Sequence, residues 1–303
     1  MADEKKAKRT HKRTVAPFPI IIYTITAIWC ALFLLIFLWG IVQSFKHPVN
    51  FLADPLWFPQ KKYGGWRFSN YLTAFKNMQI YLPAKHREVS FLEMLYNTLF
   101  FCFAYSLVAV IAPMLTSYVY AKYSKRCPWV KLIWIILLIN LYVPLSASLG
   151  ASLKLAMQLG YYDNMYYFLV VAMSGFNGNF LIYYATWKGL SWDFAEAAMI
   201  DGANPWKIFF KIMFPMTINI FVVLFVAQFI GYWSDYQTPM VFLPSHPTLA
   251  YGVYRFQTSI VDGASEPPIK IAALIAVAVP MFALFMVFRK KMMNSLTVGG
   301  LKG

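Results

Sequence analysis

Residues Ser191–Pro215 read SWDFAEAAMIDGANPWKIFFKIMFP, and they lie between two runs apolar enough to cross a membrane. A polar helix-turn-helix in that place has to form a compact knuckle at one face of the bilayer. Ser191 predicts an N-cap for a helix running through Asp201, with Asp193 in the first turn facing the positive end of the helix dipole. Gly202 ends that helix, because the residue just past a last turn takes a left-handed conformation that side chains resist. Asn204 and Pro205 then read as the N-cap and first residue of a second helix. On the first helix Phe194, Ala197, Ala198 and Asp201 recur at i, i+3, i+4 and i+7. This spacing puts two small residues at the centre of one face, with Glu196 on its flank. Another surface can approach such a face closely. The competing reading is a linker lying on the membrane; it needs a broad apolar face, which Glu196 and Asp201 interrupt.

The rest of the chain agrees with a membrane setting. Of 303 residues, 60% are hydrophobic and 13% charged, whereas soluble domains hold about half apolar and about a quarter charged. The net charge of +15 comes from basic residues that flank apolar runs. They form no stripe with interleaved aromatics, so nucleic acid is not an expected partner. Cys30, Cys102 and Cys127 show no metal or redox spacing.

Taken in order, residues 1–17 form a basic tail and residues 18–291 a six-span transmembrane domain. Within it lie a long outer loop, 46–90, and the polar loop 191–206; residues 292–303 form a C-terminal tail. The spans are expected at about 18–42, 91–120, 132–152, 166–187, 209–233 and 269–288, each long enough for roughly 30 Å of hydrocarbon. The predicted fold class is therefore an all-α polytopic membrane protein. By this topology 17 Lys and Arg lie on the inner side and ten on the outer, seven of the ten in the long first loop. Short-loop charge bias then puts both termini and the knuckle in the cytoplasm. Asn140, Asn177, Asn179 and Gln228 lie inside spans and Trp233 at the outer mouth. Polar groups at such depth need partners or water, so they are candidates for lining a pathway, with plain helix packing as the alternative.

Glu196-Ala197-Ala198, three residues, Gly202, nine residues and Ile212-Met213-Phe214-Pro215 resemble the EAA loop of permease subunits in bacterial ABC importers; Phe214 stands where the pattern usually has leucine. Tyr96-Asn97-Thr98, Leu249-Ala250-Tyr251-Gly252 and the closing Gly-Gly-Leu-Lys-Gly are similar to the smaller permease of the maltose transporter and its carbohydrate-importer relatives. The resemblance is continuous from about Glu88 to Gly303 and faint in the first outer loop. It implies a cytoplasmic coupling helix, with Glu196, Ala197, Ala198, Asp201, Gly202 and Pro215 serving contact with an ATPase. It also implies that the tail, with Gly299, Gly300 and Lys302, reaches the ATPases, and that the last outer loop touches a binding protein. The implied partners are a second permease subunit, two cytoplasmic ABC ATPases that carry ATP and Mg, an extracellular or periplasmic sugar-binding protein, and the lipid of a bacterial cytoplasmic membrane.

The chain has no GxxxxGK[ST] loop, so ATP hydrolysis has to come from a partner. No HExxH, GxSxG or comparable signature is present, and no catalytic or metal-ligating residue is expected. The leading expectation is a permease subunit importing a sugar, an oligosaccharide by resemblance. An importer for peptides, amino acids or anions shares the same loop. A passive channel or membrane scaffold is the reading from another class, and the spans offer neither a ring of charge nor a carbonyl filter for it.

Overall fold

The computed structural model describes residues 17–125, 127–142, 149–258 and 266–298. Among the described residues, four helices are long and apolar enough to cross a membrane: Phe18–Ser44, Phe91–Tyr123, Pro205–Ser234 and Pro267–Lys290. They belong to α1 (Pro17–Ser44), α4 (Phe91–Tyr123), the unit α10 (Pro205–Ile208) to α11 (Phe214–Ser234), and α14 (Pro267–Val298). The chain is membrane-embedded, and α1 presents almost only exposed apolar side chains.

The third and fourth expected spans are not single helices among the described residues. The third is represented by α5 (Lys131–Tyr142) and α6 (Leu149–Gln158); residues 143–148 between them lie outside the description. The fourth is divided into α7 (Leu169–Ala172) and α8 (Gly178–Gly189). The break has a local cause. Gly175 is pressed against α4, where an added Cβ would meet Thr116 Cγ2 at 2.8 Å, and the Thr116 hydroxyl donates to the Gly175 carbonyl at 2.7 Å. Asn177 then restarts the helix, its Oδ1 accepting the Asn179 N–H at 3.0 Å.

α4 is the hub on which α7, α8, α11 and α13 (Leu249–Thr258) pack, while α14 packs on α1 and α11. Lipid tails are as apolar as leucine, so helices in a bilayer are held by close packing and by polar contacts rather than by withdrawal from water. The structure supplies such contacts along α4. Tyr105 Oη donates to the Met165 carbonyl at 2.9 Å, Trp187 Nε1 to Ser117 Oγ at 3.2 Å, and Lys122 Nζ to the Leu190 carbonyl at 2.7 Å. On α11, Trp233 Nε1 donates to the Val277 carbonyl of α14 at 3.2 Å.

The loop 46–90 is a folded cap, which adds one short hairpin to the otherwise helical elements of the described residues. It holds α2 (Pro48–Ala53), α3 (Ser69–Asn77) and a hairpin of β1 (Ile80–Leu82) and β2 (Arg87–Val89), antiparallel with Ile80 opposite Val89. Asn70 Nδ2 stitches the cap to the end of α1, donating to the Ser44 and Lys46 carbonyls at 2.8 and 2.9 Å. Lys46 is buried there, and its ammonium donates to the Asp54 carbonyl at 2.7 Å. Burial lowers its pKa, partly opposed by the Asp54 charge.

Candidate coupling site

The knuckle begins at α9 (Asp193–Ile200). Ser191 Oγ accepts the Asp193 N–H at 3.2 Å, as its place before the helix predicts. Asp193 and Glu196 both lie in the first turn, where negative charge faces the unpaired N–H groups. At the other end Gly202 has φ +77°. Its N–H reaches the Met199 carbonyl at 3.0 Å, and the Ala203 N–H reaches the Ala198 carbonyl at 2.9 Å. This pair of crossed bonds is the Schellman arrangement, and it closes α9 through a residue with no Cβ. Asn204 Oδ1 then accepts the Lys207 N–H at 2.8 Å, with Pro205 in the first turn.

The second helix of the knuckle does not stop before the membrane. α10 passes through one π-helical turn, Phe209–Met213, directly into α11. Pro215 accounts for the irregular turn. It has no N–H for the Lys211 carbonyl, and its ring crowds that carbonyl; the helix widens so that the Phe214 N–H bonds Phe209 O instead. The fifth expected span therefore begins at Pro205 rather than near Phe209, and one helical unit joins the knuckle to Ser234 at the opposite end.

α9 is seated on this unit through Ala195, which is fully buried in a cluster with Ile208, Phe209, Met213, Trp187, Tyr118 and neighbouring side chains. Four parts of the chain thus meet under the knuckle: α4, α8, α9 and the continuous unit from α10 through the π turn into α11. Away from that seat, Glu196, Ala197, Asp201 and Gly202 are exposed. Ala198 is half-buried against the cluster, so it is less available than the helical spacing predicts. Three apolar side chains that spacing did not single out as a group flank the exposed face: Phe194, Trp206 at 69% exposure and Ile200 at 88%. An apolar residue that exposed beside carboxylates is a signal of a binding surface only once the fold shows that nothing in the chain covers it.

The remaining candidates are dispersed. Asn177 caps α8, Asn179 is half-buried with its amide nitrogen unpartnered, and Gln228 is half-buried on α11. Trp233 is fixed against α14 and lines an apolar groove with Phe37, Ile41 and Leu274. Asn140 lies on α5, its side chain outside the description, and Gly299, Gly300 and Lys302 lie outside it altogether. Tyr232, one residue before Trp233, turns the other way. It lines a cavity of about 320 Å³ with Tyr105, Tyr161, Phe168, Thr238 and Phe242, a position the sequence did not single out as a cavity.

No protein-family model matches the chain. It is 24% identical over 288 residues to the diacetylchitobiose uptake system permease protein NgcG of Streptomyces coelicolor, covering 93% of this chain and 88% of that one. It is 28% identical over 219 residues to the maltodextrin transport system permease protein MdxG of Bacillus subtilis, covering 71% and 77%. Among solved structures it resembles a chain from a bacterial ABC transporter involved in the import of the acidic polysaccharide alginate. There the TM-score is 0.71 at 18% identity, over 92% of this chain and 98% of that chain, which establishes a shared fold.

Proposed function

We propose that this chain, a homologue of carbohydrate ABC-importer permeases, forms one half of a sugar translocation pathway and couples it to ATP hydrolysis on separate subunits. The observation that carries the reading is the continuous unit from Pro205 to Ser234 with α9 seated on its base. A push on the exposed face of α9 moves Ala195, and Ala195 cannot move without Trp187, Phe209 and Met213 following, because packed side chains do not deform independently. The displacement then reaches the outer mouth, where Trp233 and Tyr232 hold α14 and Tyr105. A partner ATPase biases the permease only if its contact with α9 differs between inward-open and outward-open states. Glu196, Ala197, Ala198, Asp201 and Gly202 are assigned that contact, with Phe194, Ile200 and Trp206 as its apolar component. Pro215 acts behind them by shaping the base of the lever.

In this assembly six spans cross a bacterial cytoplasmic membrane with both termini inside, the domain limits being residues 18–291 with a tail from 292. A second permease completes the pathway, two ABC ATPases bind ATP and Mg, and an external sugar-binding protein delivers the substrate. Residues Gly299, Gly300 and Lys302 are assigned to the ATPase side. The aromatic and hydroxyl lining of the cavity at Tyr105, Tyr232 and Thr238 suits a sugar ring, which offers an apolar face and hydroxyl edges. The test is isolation of the complex followed by uptake in vesicles. Co-purification with an ATPase and ATP-dependent accumulation of an oligosaccharide are the expected results; conduction by the chain without an ATPase would overturn the proposal.

A further inference from the structure

We infer that the notch between the inner end of α4 and the start of α5 binds the phosphate of an anionic phospholipid, with the lipid's acyl chain lying along α5. The notch has a volume of about 700 Å³ and is lined by Tyr120, Ser124, Lys125, Lys131, Trp134 and Ile135. Its chemistry changes along its length in the order of a lipid. At the mouth Lys125 and Lys131 are both exposed and Ser124 supplies a hydroxyl. Next comes an aromatic wall, Tyr120 stacked on Trp134 with centroids 5.4 Å apart and planes at 14°. Beyond it α5 exposes Ile135, Ile136 and Ile139 to the hydrocarbon. Ammonium and hydroxyl donors suit a phosphate, and amphipathic rings belong at headgroup depth.

Two further observations support this occupant. The sequence has no carboxylate between Glu93 and Asp163, and neither Lys125 nor Lys131 forms an ion pair among the described residues. A further positive charge stands beside the same aromatic wall: Lys188 Nζ lies 5.8 Å from the Tyr184 ring centroid, and Tyr184 is 5.6 Å from Trp134. An uncompensated cationic notch opening onto an apolar helix face complements an anionic headgroup joined to a chain, and a soluble anion would leave the apolar half unfilled. α5 is otherwise in contact with the rest of the chain chiefly through α4 and the short turn before it. A lipid in the notch would bridge the two helices one turn from Lys122, which holds the Leu190 carbonyl just ahead of the knuckle.

The inference rests on the membrane-embedded reading and not on coupling to ATP, so its test reads lipid retention directly. The intact purified complex is incubated with phosphatidylglycerol or phosphatidylcholine micelles and analysed by native mass spectrometry. Preferential retention of phosphatidylglycerol is expected. K125Q/K131Q should weaken it by about thirtyfold, from the usual surface attraction of about fivefold per lysine. K61Q/K62Q, an equal loss of charge on the outer loop, should leave retention unchanged. Equal retention of both lipids, equal loss in both double variants, or saturation of the effect by inorganic phosphate alone would overturn the assignment. So would cross-linking of Lys125 to a partner subunit with no dependence on lipid.

Discussion

The Thr98 hydroxyl accepts the backbone N–H of Leu249 at 2.8 Å, joining α4 to α13 across 151 residues of sequence. The same hydroxyl donates to the Met94 carbonyl at 2.7 Å, which orients its lone pair toward Leu249. One residue earlier, Asn97 Nδ2 donates to the Pro247 carbonyl at 3.1 Å. Both ends of this clamp are buried. Thr98→Val keeps the shape and removes the acceptor, leaving the Leu249 N–H buried without a partner at a cost of about 1–3 kcal/mol. Thermal unfolding of the purified complex should show a lower midpoint for Thr98→Val and a smaller loss for Thr98→Ser. An unchanged midpoint for the valine variant would remove the clamp from the argument.

Beside the clamp, Gly252 is buried, and a Cβ there would come within 2.6 Å of Met94 Sδ. Gly252→Ala should therefore overpack the junction by about 1–3 kcal/mol. Met94→Ala vacates that space, so the double variant is expected to lose less stability than the two single changes added together. Additive losses would show that the glycine is needed for some reason other than Met94.

The knuckle was largely legible before the fold, because Ser191, Gly202, Asn204 and Pro205 each act on the backbone within a few residues. The same holds for α1, α4 and α14, whose apolar runs are unbroken. The division of the fourth span was less legible: it depends on Gly175 meeting Thr116, 59 residues away. Likewise the sequence offered Asn97–Thr98 and Leu249–Gly252 as two separate similarities, and only the fold shows that they touch. The exposure of Ile200 and Trp206 was hidden for the converse reason. Spacing states which residues share a face, but not whether the chain later covers it.

Ahead of α7, Asp163, itself at φ +55°, accepts the Ser245 N–H through its carboxylate at 2.8 Å and stands 3.7 Å from His246 Nδ1. Burial lowers the His246 pKa; Asp163 and Glu93 oppose the shift and Lys85 adds to it. A lowered folded-state value means that the unfolded chain binds the proton more readily. The contribution is thus present above the ordinary histidine value of about 6.5 and is lost as pH falls below it. Between about pH 7 and about pH 5 the wild-type midpoint should fall further than that of His246→Gln. A parallel fall in both would assign the pH effect to other groups.

At Gly202 two explanations of the residue can be separated. A Cβ would meet nothing within 4 Å in this chain, yet φ is +77°. Intramolecular crowding is therefore absent, while a β-branched residue pays conformational strain of about 1–2 kcal/mol in the left-handed region. Gly202→Val should abolish transport and substrate-stimulated ATPase activity while leaving membrane insertion intact. Asparagine tolerates the left-handed region, so Gly202→Asn should fold with near wild-type stability. If that variant also loses coupling, the glycine serves close approach of the ATPase; if it transports normally, backbone geometry alone explains the residue. Normal uptake by Gly202→Val would refute the assignment of the knuckle.

Pro215 gives the sharpest test of the lever. With alanine there, an N–H returns to the Lys211 carbonyl and the π turn at Phe209–Met213 can relax to regular α-helix. Removing one residue's worth of excess winding turns everything on its knuckle side by roughly 100° relative to α11, since a regular helix has 3.6 residues per turn. Ala195 would then no longer face its seat among Trp187, Phe209 and Met213. Alanine's better helix propensity offsets part of the lost seating, so the thermal midpoint should change little while ATP-dependent uptake falls at least about tenfold. Stability and uptake moving together would mean that the π turn is only an accommodation to proline. Their moving apart would show that the irregular turn sets the angle at which force enters the membrane helices.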